Sequence, residues 1–158
     1  KSLLRHRLAT SSLEEITQGQ YQTILPEIDP LDDNRVTRVV LCSGKVYYDL
    51  LEQRRKEGRS DVAILRMEQL YPFPKDLLKQ ELRRYRNVQT YVWCQDEPKN
   101  QGAWYTSQHH VHAILSDLGW QGGLAYAGRP LSAAPAVGYP WLHIKQLREL
   151  IATALGSP

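Results

Sequence analysis

The sequence predicts an α/β sandwich, a mostly parallel sheet with helices on both faces, and three observations lead there. Short apolar, β-branched runs recur at VTRVVLC, DVAILRM, NVQTYVWC and LAYAG. Between them lie stretches in which apolar residues return every three or four positions, the spacing of a helix with one buried face. Parallel neighbours need a crossover between them, and helices of ten residues or more supply it.

Taken in order, SSLEEITQG reads as a short helix in which Ser12 and Glu15 form a capping box and Gly19 is the stop. YQTILPEI is a short strand that Pro26 confines to a sheet edge, and PLDDN is a turn. VTRVVLC, 36 to 42, is a strand that stops at Ser43-Gly44, after which Val46, Leu50 and Leu51 mark a helix running to Gly58. DVAILRM is the next strand, and in the YPFP turn Pro74 suits a first helical position. KDLLKQELRRYR then reads as a helix with Leu78, Leu82 and Tyr85 on one face. NVQTYVWC is a strand that gives way to polar residues at Gln95. Trp104, Val111, Ile114, Leu115 and Leu118 mark a helix ending near Gly119. LAYAG is a further strand, RPLSAAPAVGYP a loop and WLHIKQLRELIATAL a closing helix.

A chain of 158 residues fits one domain of ordinary size. Its net charge of +3 is spread along the chain rather than gathered into a stripe, which speaks against nucleic acid as a partner. No apolar run has the length of a membrane span, so no membrane partner is expected. The start, KSLLRHRLATSS, lacks Met and a secretory core and reads as internal to a longer chain. Cys42 and Cys94 lie in apolar runs without CxxC spacing, as buried thiols of a reducing compartment do.

The densest polar segment is WCQDEPKNQGAWYTSQHHVH, 93 to 112, at the carboxyl edge of the predicted sheet, where open α/β folds place ligands and partners. A solvated strand-to-helix loop is the plain alternative. His109 and His112 are spaced to share a helix face, but HExxH is missing, so no metal site is expected. No GxSxG elbow is present, and a strand thiol such as Cys94 is a poor nucleophile. Ser43, Gly44 and Lys45 precede a helix start and are candidate anion-binding residues, although the full phosphate-loop pattern is missing. Arg83, Arg84 and Arg86 read as the solvated end of a helix, favoured there by its dipole. The loop after Arg129 carries little charge and fits a partner surface.

LCSGKVYYDLLEQRRK, RMEQLYPFP, WCQDEPKNQGAW, SQHH and YAGRPLSAAPAVG together resemble the C-terminal domain of the 2-oxoglutarate dehydrogenase family. The leading KSLLRHRLATSSLEE resembles the linker into that domain. The resemblance implies a transketolase-like C-terminal fold: a five-stranded mixed sheet in which the first strand is antiparallel. Residues 1–35 would be a lead-in linker with a short helix and edge strand, and 36–158 the α/β domain. It further implies that thiamine diphosphate and Mg belong to the full-length enzyme, held by a GDG motif with its later Asn and by an activating Glu. Neither motif is found here, so no cofactor and no catalytic residue is expected in this chain. The implied reaction is oxidative decarboxylation of 2-oxoglutarate with succinyl transfer to lipoamide.

The implied partners are the preceding catalytic domains, the dimer mate and dihydrolipoyl succinyltransferase. The implied setting is the bacterial cytoplasm or the mitochondrial matrix. Glu97, Asn100, Gln101 and Trp104, with His109, His110 and Arg129, become candidates for organising the domain and its interface, with the Trp104 ring buried and its N–H partnered. Three alternatives stay open. They are a free-standing anion- or nucleotide-binding module, a small hydrolase or metalloenzyme built on His109 and His112, and the same domain of a 2-oxoadipate dehydrogenase.

Overall fold

The computed structural model describes residues 3–156. Five strands form one sheet: β1 (Ile24–Leu25), β2 (Arg38–Cys42), β3 (Val62–Met67), β4 (Thr90–Pro98) and β5 (Leu124–Arg129). Their order is β1-β3-β2-β4-β5. Only the β1–β3 pair is antiparallel, with Ile24 opposite Met67, and the other three pairs are parallel. The α-helices are α1 (Leu13–Gln18), α2 (Val46–Lys56), α3 (Lys75–Leu82), α4 (Trp104–Asp117) and α5 (Pro140–Leu155), preceded by short 3-10 turns at Leu3–Arg5 and Arg7–Ala9.

The strands are apolar in nearly every position because both faces are covered, and alternation sorts their side chains between two cores. Val39, Leu41, Ala63, Leu65, Tyr91 and Trp93 face one side, with Leu78, Leu82, Val111 and Leu115 of α3 and α4 packed over them. Val40, Cys42, Val62, Ile64, Val92 and Cys94 face the other, under α2 and α5. The chain leaves β2 toward α2 and β4 toward α4, on opposite faces, so a crevice opens between these neighbouring strands at their carboxyl ends.

Several local expectations hold in detail. Ser12 and Glu15 close the capping box of α1. Gly44 has φ 71, which explains the glycine at that turn. Others differ for physical reasons. Pro74 is the N-cap of α3 rather than its first residue, and α3 ends at Leu82, so Arg83, Arg84 and Arg86 lie beyond the helix. β4 does not stop at Cys94 but runs to Pro98, with an irregularity between those residues in its register with β5. Its polar residues remain in the strand because Gln95 finds buried partners there.

A buried ion cluster pins the segment after β1 to the body of the fold. Arg54 of α2 is 1% exposed and grips Glu27 with both guanidinium nitrogens. It also donates to Asp29 Oδ2 at 2.6 Å and to the Val62 carbonyl at 2.8 Å. Glu27 in turn accepts the Ile64 backbone N–H at 2.8 Å, and Arg55 holds Asp29 from outside at 2.5 Å. The two buried charges, Arg54 and Glu27, therefore each have several partners, the condition under which a buried pair is tolerated.

Candidate functional site

The segment at the carboxyl end of β4 is organised by one side chain, Gln95, that hydrophobic patterning does not single out. Gln95 is completely buried, and its amide makes five hydrogen bonds. Oε1 accepts from the Trp93 indole at 3.1 Å and from the Trp104 backbone N–H at 2.9 Å. Nε2 donates to the carbonyls of Glu97, Pro98 and Gln101, the last at 2.7 Å. The amide thus ties the end of the strand to the first residue of α4 and closes the turn between them. Gly102 stands beside it at φ 65, where an added Cβ would come within 3.0 Å of Gln95 Nε2. The readable signal was a polar residue continuing a buried strand, since such a group must be satisfied internally.

Arg129, 5% exposed at the end of β5, is the second organiser. It donates to both the carbonyl and the carboxylate of Asp96 at 2.8 Å, to Gln146 Oε1 at 2.8 Å and to His143 Nδ1 at 3.0 Å. A guanidinium has only donors, so His143 Nδ1 must accept. Arg129 therefore locks β4 and β5 to α5. Asn100 fastens the following loop by a reciprocal pair with Ser132, donating to its carbonyl at 2.9 Å and accepting its N–H at 3.0 Å. Gln101 adds a bond to the same carbonyl at 3.2 Å. A cavity of about 260 Å³ remains under this loop, between Pro98, Arg129, Leu131 and Leu142.

The other candidates divide clearly. Trp104 buries its ring at 6% exposure against Tyr126, with the Lys99 ammonium 5.7 Å from its centroid. The partner expected for its indole N–H is not found: that group makes no hydrogen bond among the described residues, and it is the backbone N–H that Gln95 binds. Glu97 is exposed. His109 is exposed too, and its ring lies 3.9 Å from that of His110, which stacks on Phe73 at 4.8 Å. Burial, then the neighbouring His109 and Lys75, hold the His110 pKa below its usual value. With the nearly fully exposed Tyr71 and the half-exposed Tyr105, these rings form a polar-aromatic rim on the carboxyl edge.

Ser43, Gly44 and Lys45 lie across the crevice at the end of β2. Lys45 is bound to Asp49 at 2.7 Å, and with Gly44, Tyr48, Arg66 and Glu68 it lines a cavity of about 160 Å³. Arg66 is itself held by Glu68 at 2.6 Å and by the Tyr48 hydroxyl at 2.8 Å.

Nucleophilic and metal chemistry find little here. Burial pushes the thiols of Cys42 and Cys94 well above the usual range. Among the described residues no three His, Cys, Asp or Glu side chains converge on a metal position. No described helix is long and apolar enough to cross a membrane.

The polar groups of this site mostly hold the domain's own backbone, and comparison with known proteins bears on the family to which it belongs. Residues 10–155 match the family described as 2-oxoglutarate dehydrogenase C-terminal. The 2-oxoglutarate dehydrogenase E1 component of Haemophilus influenzae is 57% identical over 155 residues, 98% of this chain. That of Azotobacter vinelandii is 53% identical over 154 residues, again 98% of the chain. The chain spans only 16% of the length of either relative. Among solved structures, a split-gene transketolase, described as an inactive beta4 tetramer, superposes with a TM-score of 0.52. It shares 16% identity, covering 77% of this chain and 39% of that one, and so supports the transketolase-like fold alone. With the match running almost end to end and including the Gln95 turn, the chain belongs to the 2-oxoglutarate dehydrogenase C-terminal family.

Proposed function

We propose that this chain is the C-terminal assembly module of a 2-oxoglutarate dehydrogenase E1 component, and that it has no turnover of its own. The longer protein decarboxylates 2-oxoglutarate on thiamine diphosphate and passes succinyl to the lipoyl group of dihydrolipoyl succinyltransferase. Thiamine diphosphate with Mg supplies the electron sink for that decarboxylation. The residues here do not fit such a group, since no cluster of hard-ligand side chains converges among those described. The cofactor is therefore assigned to the preceding domains.

The single observation that carries this reading is the inward commitment of the site's polar groups. Gln95, Asn100, Gln101 and Arg129 are hydrogen-bonded to the domain's own backbone and side chains. Among the residues facing outward on the carboxyl edge are Tyr71, Glu97, Tyr105 and His109. We assign that rim to contact with the catalytic domains of the same chain or the dimer mate. His110, stacked on Phe73, supports the rim from behind. The segment through residue 35 is assigned as the lead-in strap, anchored by Glu27 and Asp29 to Arg54.

A free-standing anion-binding module at Ser43, Gly44 and Lys45 has less behind it. Asp49 already neutralises Lys45, and Glu68 occupies Arg66.

The test is a thiamine-dependent decarboxylation assay with 2-oxoglutarate and an artificial electron acceptor. It is run on the 158-residue chain beside the full-length protein. Turnover is expected in the full-length protein only. Turnover by the chain alone, or preference of the full-length protein for 2-oxoadipate, would overturn the reading.

A further inference from the structure

One cavity lies at the opposite end of the sheet from the carboxyl-edge rim, and it has its own chemistry. It is a cleft of about 320 Å³ between the segments that follow α3 and α4. Its walls include the rings of Tyr85, Tyr91 and Trp120, with Leu118 among its apolar residues, and Arg83 and Arg86 stand at its lip. Its size is at the lower end of the range for small-ligand sites.

Neither arginine is engaged. Arg84, between them in sequence, is bound to Asp33 and Glu81. Arg83 and Arg86 are exposed and make no side-chain hydrogen bond or ion pair among the described residues. The plain explanation is that they complement the helix C-termini. The last carbonyls of both helices, however, already have backbone partners. Lys79 accepts from Arg83 N–H, and Ile114, Leu115 and Ser116 accept from the N–H groups of Leu118, Trp120 and Gly119. The guanidinium groups are left over.

The aromatic wall is held in place. Trp120 packs edge-on against Tyr91 at 5.1 Å, and its ring lies so close over Gly122 that an added Cβ would approach within 2.5 Å. Tyr85, 4% exposed, carries a buried hydroxyl with no hydrogen-bond partner. The cleft thus combines fixed ring faces with two free guanidinium groups.

We propose that this cleft binds a small planar aromatic ring carrying one anionic group, a phosphate or a carboxylate. The ring lies against Trp120 and Tyr91, and Arg83 and Arg86 close on the anion. This site is separate from the carboxyl-edge rim and does not depend on the family reading.

The experiment is a two-dimensional NMR titration of the ¹⁵N-labelled chain with phenyl phosphate, following the Trp120 indole signal, which Trp120→Phe identifies. Benzoate, inorganic phosphate and benzyl alcohol are the comparison probes. Saturable shifts are expected with phenyl phosphate, with benzoate, or with both, and the stronger names the anion. Inorganic phosphate and benzyl alcohol, each lacking half of the ligand, should bind at least about tenfold more weakly, since a charge-assisted contact or a ring face is lost. Arg83→Ala and Arg86→Ala should each weaken binding by about tenfold, and Arg84→Ala should leave it unchanged. All three variants must keep the dispersed spectrum of the native fold. Absence of saturable shifts with both aryl anions, or equal binding by a folded double variant lacking Arg83 and Arg86, would overturn the proposal.

Discussion

Glu27→Ala is expected to destabilise the fold by about 3–5 kcal/mol, the cost of leaving a buried guanidinium without its partner. Glu27 sits at 3% side-chain exposure, chelates Arg54 and accepts the Ile64 N–H, so its removal strands a charge and a strand amide together. Against the 5–15 kcal/mol typical of a domain, that is a large fraction of the total. The midpoint of urea unfolding reads it directly. Glu52→Ala, on a 70% exposed side chain of α2, the helix that carries Arg54, is the control and should stay within about 0.5 kcal/mol.

The cluster also sets an acid limit. The hydrogen bond from Arg55 chiefly, with help from Arg54 and against burial, lowers the Asp29 pKa below 3.8. A carboxylate lowered in the folded state adds stability that is fully present above its unfolded pKa. That stability is lost as pH falls through the lower folded value. Stability should therefore decline below about pH 4, and Asp29→Asn should flatten that decline.

Gln95→Leu is the second large effect, expected to destabilise by about 3 kcal/mol or more. The shape is nearly kept, but the Trp93 indole and the Trp104 amide lose their acceptor, and three carbonyls lose a donor. Each buried group left unpaired costs about 1–3 kcal/mol, partly offset by the gain of apolar contact. Because Gln95 joins β4 to α4, the loss should show in the unfolding midpoint and in the fluorescence of the buried tryptophans together. Glu97→Ala, two residues on and exposed, should cost about 0.5 kcal/mol or less.

These two side chains show where sequence reading stopped. The sandwich itself was legible, because period-two and period-3.6 patterns follow directly from burial on two faces of a sheet and one face of each helix. Capping at Ser12 and the left-handed turn at Gly44 were legible for the same reason, being local. The Arg54–Glu27 pair was not, because it joins residues far apart in sequence that only the β1–β3 pairing brings together. Gln95 reads from sequence as the place where a strand ends, whereas β4 runs on to Pro98. A polar residue interrupts the apolar pattern whether it faces water or a buried set of backbone partners, and the pattern does not distinguish the two. The arginines after α3 read from sequence as a helix end, whereas the helix stops earlier, at Leu82, which frees Arg83 and Arg86 to reach the cleft. At the candidate site, the residue types at Glu97, Asn100, Gln101, Trp104 and Arg129 were legible as a group. Which of them turn inward follows from register and from the loop's return to Ser132, and only the fold shows that.

The central claim is that the carboxyl-edge rim is a contact surface for the rest of a larger enzyme. Side-chain footprinting of the 158-residue chain and of the full-length protein, under identical labelling, tests it most directly. Tyr71 is 92% exposed and Tyr105 54% exposed in this chain, and His109, one turn after Tyr105 on α4, is exposed as well. All three are expected to label readily in the chain and to be protected at least about fivefold in the full-length protein, as burial in an interface requires. Equal labelling of Tyr71, Tyr105 and His109 in the two proteins would contradict it.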